Sequence, residues 1–188
     1  AVAGNVEEIN SLASQIAQLN GNISRVISVG EQPNDLMDKR DLALDRLAEL
    51  TGAVSSEQKN GEMLVSVGGH VLVMGQDTFK LEVRTNPTDT SVVDAYWNDG
   101  QKLTPPSGEL KGTLDVRDRV LVDQLTGLNT MSAGLIAQVN TIHSGGYGLN
   151  NATGLNFFNG TDASSITVNS ILDANSIATS SAANQAGN

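Results

Sequence analysis

Eight positions near the start of the chain, Val2, Asn5, Ile9, Leu12, Ile16, Leu19, Ile23 and Val26, advance by alternating steps of three and four. A period of about 3.5 residues held this long belongs to a helix that presents a narrow apolar stripe to partner helices. A second helix is therefore required, and the sequence supplies one directly. Gly30 can close the first helix in a left-handed conformation, and Pro33 blocks its continuation. Pro33 also biases Gln32 away from helix, Asn34 or Asp35 can cap a new first turn, and Asp35 and Asp38 put negative charge where the helix dipole favours it. Over residues 33–51, Leu36, Ala43, Leu47 and Leu50 line one side, with Met37, Leu44 and Ala48 beside them and Lys39, Asp45 and Glu49 elsewhere. That face needs a helix to cover it. The seam is already running at residue 2, so the sequence reads as part of a longer chain.

After Gly52 the period changes to two. Residues 53–58, 62–67 and 71–74 read as antiparallel strands joined by turns at Asn60-Gly61 and Gly68-Gly69. Phe79, Leu81 and Val83 alternate with Lys80, Glu82 and Arg84, and residues 92–97 pair with 101–103 across Asn98-Asp99-Gly100. A meander of five or six strands is expected. Pro105 and Pro106 end it, and Leu114, Leu121, Leu125, Leu128, Leu135, Val139 and Ile142 restore a three-and-four ladder, interrupted by Asp118 and Ser132. A helix over about 113–143 would be roughly 45 Å long, a rod able to carry both earlier helices. Residues 144–160 form a glycine- and asparagine-rich loop holding Phe157 and Phe158, a short strand is expected at 165–168, and residues 178–188 are expected to fray. The expected fold is α+β, an antiparallel long-helix bundle with an inserted antiparallel β meander. Residues 1–52 and 104–188 would make a discontinuous helical domain with an irregular C-terminal tail, and residues 53–103 an inserted β domain.

Composition narrows the function. Aromatic residues are 3% of the 188, so the core must rest on Leu, Ile, Val, Ala and Met. A net charge of −10 argues against a nucleic-acid surface, which needs clustered Lys and Arg. No apolar run approaches the roughly 18 residues that cross a bilayer, and there is no cysteine for disulfides or thiolate chemistry. His70 follows a turn and His143 sits at a helix end, neither with a partner at metal spacing. Asp38, Asp41 and Asp45 are interleaved with Lys39, Arg40 and Arg46, which favours ion pairing over cation binding. The glycine runs lack the lysine and helix of a phosphate loop, and the serines form no nucleophile elbow. No catalytic, cofactor or metal site is expected. Arg40-Asp41 and Arg117-Asp118 each stand near the start of a helix, and each arginine is expected to tie a carboxylate and free carbonyls together there, pinning the Pro33 or the Gly112 turn.

Three ordered segments resemble one family. Pro33-Asn34-Asp35-Leu36-Met37-Asp38-Lys39-Arg40-Asp41 is similar to the "PNDL-D-RD" segment of the flagellar hook-associated protein 1 family, the hook–filament junction proteins. Gly108-Glu109-Leu110-Lys111-Gly112 followed by Leu114-Asp115-Val116-Arg117-Asp118 resembles its glycine-rich entry into a long helix. Val139-Asn140-Thr141-Ile142-His143 with Phe157-Phe158 resembles its "VN--H" and "FF" elements, although Asn150-Asn151 stands where that family would place a glycine. The resemblance implies a structural axial protein of the bacterial flagellum, extracellular after unfolded export by the flagellar secretion system. Its implied partners are the hook protein and other hook-associated proteins, with ring formation depending on terminal helices outside this sequence. A monomer is then expected for the chain itself. The alternative from another class is an extracellular adhesin or carbohydrate-binding module, which would need a row of exposed aromatics on the sheet. Only Tyr96 and Trp97 are at hand.

Overall fold

Helix α1 (Val2–Ser28) buries the expected stripe: Val2, Ile9, Ile16, Leu19 and Ile23 are inside. In the computed structural model, which describes residues 1–185, the buried face is wider than the seam. Val6, Ala13, Ala17 and Asn20 are covered as well, because α1 packs against α2 (Asn34–Thr51) and also against strands β3 to β6. Gly30 ends α1 with φ +84°, as its position suggests. Helix α2 starts differently from expectation. Pro33 occupies the N-cap position, Asn34 is already helical, and no side chain caps the turn. The buried positions of α2 are Arg40, Ala43, Leu47, Leu50 and Thr51.

Strands β1 (Val54–Glu57), β2 (Met63–Val67), β3 (His70–Met74) and β4 (Asp77–Thr78) form one antiparallel sheet in that order. Strands β5 (Leu81–Thr85) and β6 (Val93–Trp97) form a separate hairpin, so the single meander is corrected to two sheets. The break has a local cause. The N–H and C=O of Leu81, which a continuing meander would offer to another strand, are both taken by the side-chain amide of Asn10 on α1, at 2.8 and 2.9 Å. The expected strand at 101–103 contracts to a bridge between Tyr96 and Lys102. Val65, Val67, Leu72, Val73, Leu81, Ala95, Trp97 and Leu103 join α1, α2 and Leu110 in one apolar core.

The third helical stretch begins earlier than expected, as α3 (Gly108–Asp115), passes through a π-helical turn at Val116–Val120, and continues as α4 (Leu121–Ser144). The chain divides by compactness inside that turn, the first unit ending at Asp118 and the second beginning at Arg119. This differs from divisions at 52/53 and 103/104, since the strands share their core with α1. The expected apolar ladder does not hold either. Leu121, Leu125, Leu128, Leu135 and Ile142 are exposed. From Asp118 to Leu128 every residue is exposed whatever its face, so no other part of the described chain covers this stretch of helix. In the second unit β7 (Phe158–Asn159) pairs with β8 (Thr167–Val168). Much of the tail expected to fray is docked, with Tyr147 bridging Ser180 and with Ser176 and Ser180 buried; residues 186–188 lie outside the described residues.

Candidate functional site

Two polar clusters hold the first unit together, and both centre on arginines singled out from the sequence. Arg40 occupies a core rung of α2, one turn before Ala43, and is only 1% exposed. Its Nη1 donates to the Gly61 carbonyl at 2.6 Å and to Asn20 Oδ1 at 3.4 Å. Asn20 Nδ2 in turn donates to the carbonyls of Met63 and Gly75, and Oδ1 accepts from the Met63 N–H at 2.9 Å. Two buried side chains on two helices thus fasten the β1–β2 turn and the end of β3. The turn is shaped for it: Gly61 has φ +78°, and a Cβ there would lie 2.4 Å from Ile27 Cδ1. Arg40 does not touch the Pro33 turn. Its Nε has no hydrogen-bond partner, and the nearest carboxylate oxygen, Asp41 Oδ1, stands 4.0 Å away on an exposed side chain.

The second cluster surrounds Asp94, which is fully buried on β6. Arg117 Nη2 donates to Asp94 Oδ1 at 2.6 Å, Lys102 Nζ to Oδ2 at 2.8 Å, and Asn86 Nδ2 to Oδ2 at 2.8 Å. Arg117 Nη1 adds a bond to the Val93 carbonyl, while Nε and Nη2 engage its neighbour Asp118. Burial alone would push the Asp94 carboxyl up, but the hydrogen bonds and charges of Lys102 and Arg117 outweigh it and hold the group below its ordinary range. Asp118 is lowered mainly by its hydrogen bonds from Arg117. The π turn thereby becomes attached to β6. It is not attached at Gly112, which lies inside α3 and makes no turn.

The remaining site residues do less. Asn34 and Asp38 are exposed and form no side-chain hydrogen bond, and Asp41 approaches only Arg40. Arg46, also on α2, gathers Glu8, Glu49 and Glu109 from three helices, and hydrogen bonds from Arg46 hold Glu8 low. His70 stacks on Trp97 with centroids 5.2 Å apart. His143 stands in the last turn of α4, as expected, and is buried and hydrogen-bonded through both ring nitrogens. Among the described residues no group of three or more acidic or histidine side chains could hold a metal ion, and no helix is long and apolar enough to cross a membrane. Sequence reasoning missed Asn10, Asn20 and Asn140. Asn20-Gly21 pairs two poor helix formers at mid-helix, which was the available signal.

The model of the flagellar hook-associated protein FlgK helical domain matches residues 1–158, a span that contains both arginine clusters. The chain belongs to this family. Flagellar hook-associated protein 1 of Escherichia coli strain K12 is 31% identical over 169 residues, covering 84% of this chain and 31% of that protein. The relative of the same description from Salmonella typhimurium is 32% identical over 168 residues, with 84% and 30% covered. The solved flagellar hook junction protein FlgK from Burkholderia pseudomallei superposes with a TM-score of 0.72 at 30% identity, over 84% of this chain and 30% of that one. The chain therefore spans just under a third of the length of these FlgK relatives.

Proposed function

We propose that this chain is the helical-domain portion of a structural axial protein at the junction between flagellar hook and filament. The observation that carries this is the family match over 1–158, which includes the tied turns around Arg40 and Arg117. In this reading both arginines, with Asp41 and Asp118 beside them, are structural residues that rigidify the domain, and no residue is catalytic. In the whole protein the helices would complete an antiparallel long-helix bundle, with residues 53–103 inserted between α2 and α3 and packed on α1. Partners would be the hook protein and other hook-associated proteins, reached after export by the flagellar secretion system. An adhesin is less favoured, because Trp97 is 3% exposed under His70 and the Tyr96 ring lies beneath Arg84. Deleting the encoding gene should leave cells with hooks but no filaments, and gold-labelled antibody to residues 1–185 should mark the hook–filament boundary. Normal filaments in the deletion strain would overturn the proposal.

The isolated chain is proposed to be monomeric at micromolar concentration, helped by its charge of −10. Sedimentation tests this. A dimer that Leu125→Glu dissolves would place self-association on the exposed row of α4 and overturn the monomer.

A further inference from the structure

We infer that His143 is an acid-sensitive latch for the C-terminal segment 176–181. The tautomer is fixed by its partners. Nδ1 lies 2.7 Å from the Leu155 carbonyl oxygen, which can only accept, so Nδ1 carries the proton. The Ala178 N–H points at Nε2 from 3.1 Å and can only donate, so Nε2 must present its lone pair. Only the neutral ring satisfies both. Imidazoles gain a second proton between about pH 8 and pH 5, and an imidazolium here would set its new N–H against the N–H of Ala178. The ring has little room to turn away, since it is 7% exposed and Phe157 packs edge-on at 5.4 Å.

The other anchors of the segment are backbone bonds and the Ser176–Asp173 contacts, with Ser176 and Ser180 buried. Tyr147 donates to the Ser180 carbonyl and accepts from the N–H groups of Thr179 and Ser180, and Ala178 seats against Gly146, where a Cβ would come within 2.8 Å of the alanine methyl. No large apolar side chain of 176–181 is buried to hold it in place of the latch: Ile177 is 37% exposed. The titratable side chains on the segments packed around the ring are Tyr147 and Asp173. The Asp173 carboxylate is occupied by the N–H groups of Asn175 and Ser176 and by Ser176 Oγ, and neither group pairs with the imidazole. No carboxylate is therefore in place to favour the charged ring. Acidification therefore removes the Ala178 contact and weakens the hold on the segment around it.

Amide hydrogen exchange on the whole chain, compared at about pH 7.5 and pH 5.0 and corrected for intrinsic rates, tests this. Protection at Ala178, Thr179 and Ser180 is expected to fall about tenfold or more in acid, while Leu47 and Leu50 stay protected. His143→Gln, whose amide can donate to Leu155 and accept from Ala178 without titrating, should abolish the pH dependence; His70→Gln should preserve it. Ring nitrogen shifts of the parent chain give a second readout that needs no variant: a proton on Nδ1 alone at neutral pH supports the latch. Unchanged protection at Ala178 while the His143 ring is doubly protonated would overturn it, as would the same acid loss in His143→Gln.

Discussion

Residues 1–118 and residues 119–185 bury opposite kinds of side chain. In the first unit the interior is aliphatic, from Val2 through Leu47 and Val65 to Leu110, and polar groups enter it only as ties at Asn20, Arg40, Thr51 and Asp94. In the second, Ile136 is the one aliphatic side chain recorded as buried among the described residues, whereas His143, Asn169, Ser176 and Ser180 lie inside and the leucines of α4 face out. The first unit is held by transfer of apolar surface from water. The second is held by side chains bonded to backbone, as at Asn140 with Phe158 and at Asp162 with Ser164 and Ser165. One chain can thus contain one region ordered around an apolar interior and another ordered around hydrogen bonds.

Leucine truncation exposes the contrast most strongly. Leu47→Ala should cost about 4 kcal/mol in denaturant unfolding of the first unit, because it removes a fully buried side chain and leaves a cavity. Leu125→Ala, at a position 56% exposed, should change stability by less than about 0.5 kcal/mol. Equal effects would erase the distinction. Arg40→Ala comes next, about 3 kcal/mol, since it strands the Gly61 carbonyl and opens a hole in α2's core face. Arg40→Met fills that hole without a buried charge and should recover much of the loss; if methionine is as damaging as alanine, the hydrogen bonds and not the packing dominate.

Asp94 gives a pH signature confined to the first unit. Its carboxyl is held below the ordinary range in the fold, so its contribution is present above the unfolded value of about 3.9 and disappears as pH falls from there through the lowered folded value. Urea midpoints of the parent should therefore drop below about pH 4, while Asp94→Asn should start lower and show a flatter profile. An identical slope in the variant would move the acid sensitivity elsewhere. Asn140→Ala should cost less than either buried first-unit alanine substitution, about 1–2 kcal/mol for two amide bonds, with exchange of the Phe158 amide accelerated and the first unit unaffected.

How far the sequence could be read follows the same division. The stripe of α1, the restart after Pro33 and the alternation of β2 were legible because apolar spacing reports which face meets the core, whereas on β5 only Leu81 is buried and Val83 is exposed. The apolar ladder of α4 was misread because spacing shows that a face is apolar but not whether the described chain supplies anything to cover it. The partner of Arg40 was not legible, since a guanidinium can donate to any carbonyl in reach and the Gly61 turn lies 21 positions away. The docking of 176–181 was invisible, as Ser, Ala and Thr carry no hydrophobic signal and are held by backbone bonds to Tyr147 and a ring nitrogen.

The amide pairs made by α1 also decide where the chain tolerates a change of length. Asn10 grips both backbone groups of Leu81, and Asn20 does the same for Met63 while its second hydrogen reaches Gly75. A strand seized at both its N–H and its C=O cannot slide by one residue without turning every side chain to the opposite surface. Residues 63–75 form a closed circuit that starts and finishes on one asparagine, so a single inserted residue there would leave one contact unmet. The 86–92 turn is fastened at its base, where Asn86 Nδ2 reaches Asp94, but its tip bonds only within the turn through Asn86 and Asp89, and residues 87–91 face solvent. Extra residues at that tip would add only a slowly growing closure entropy. Epitope tags or fluorescent labels meant to leave the domain undisturbed belong there.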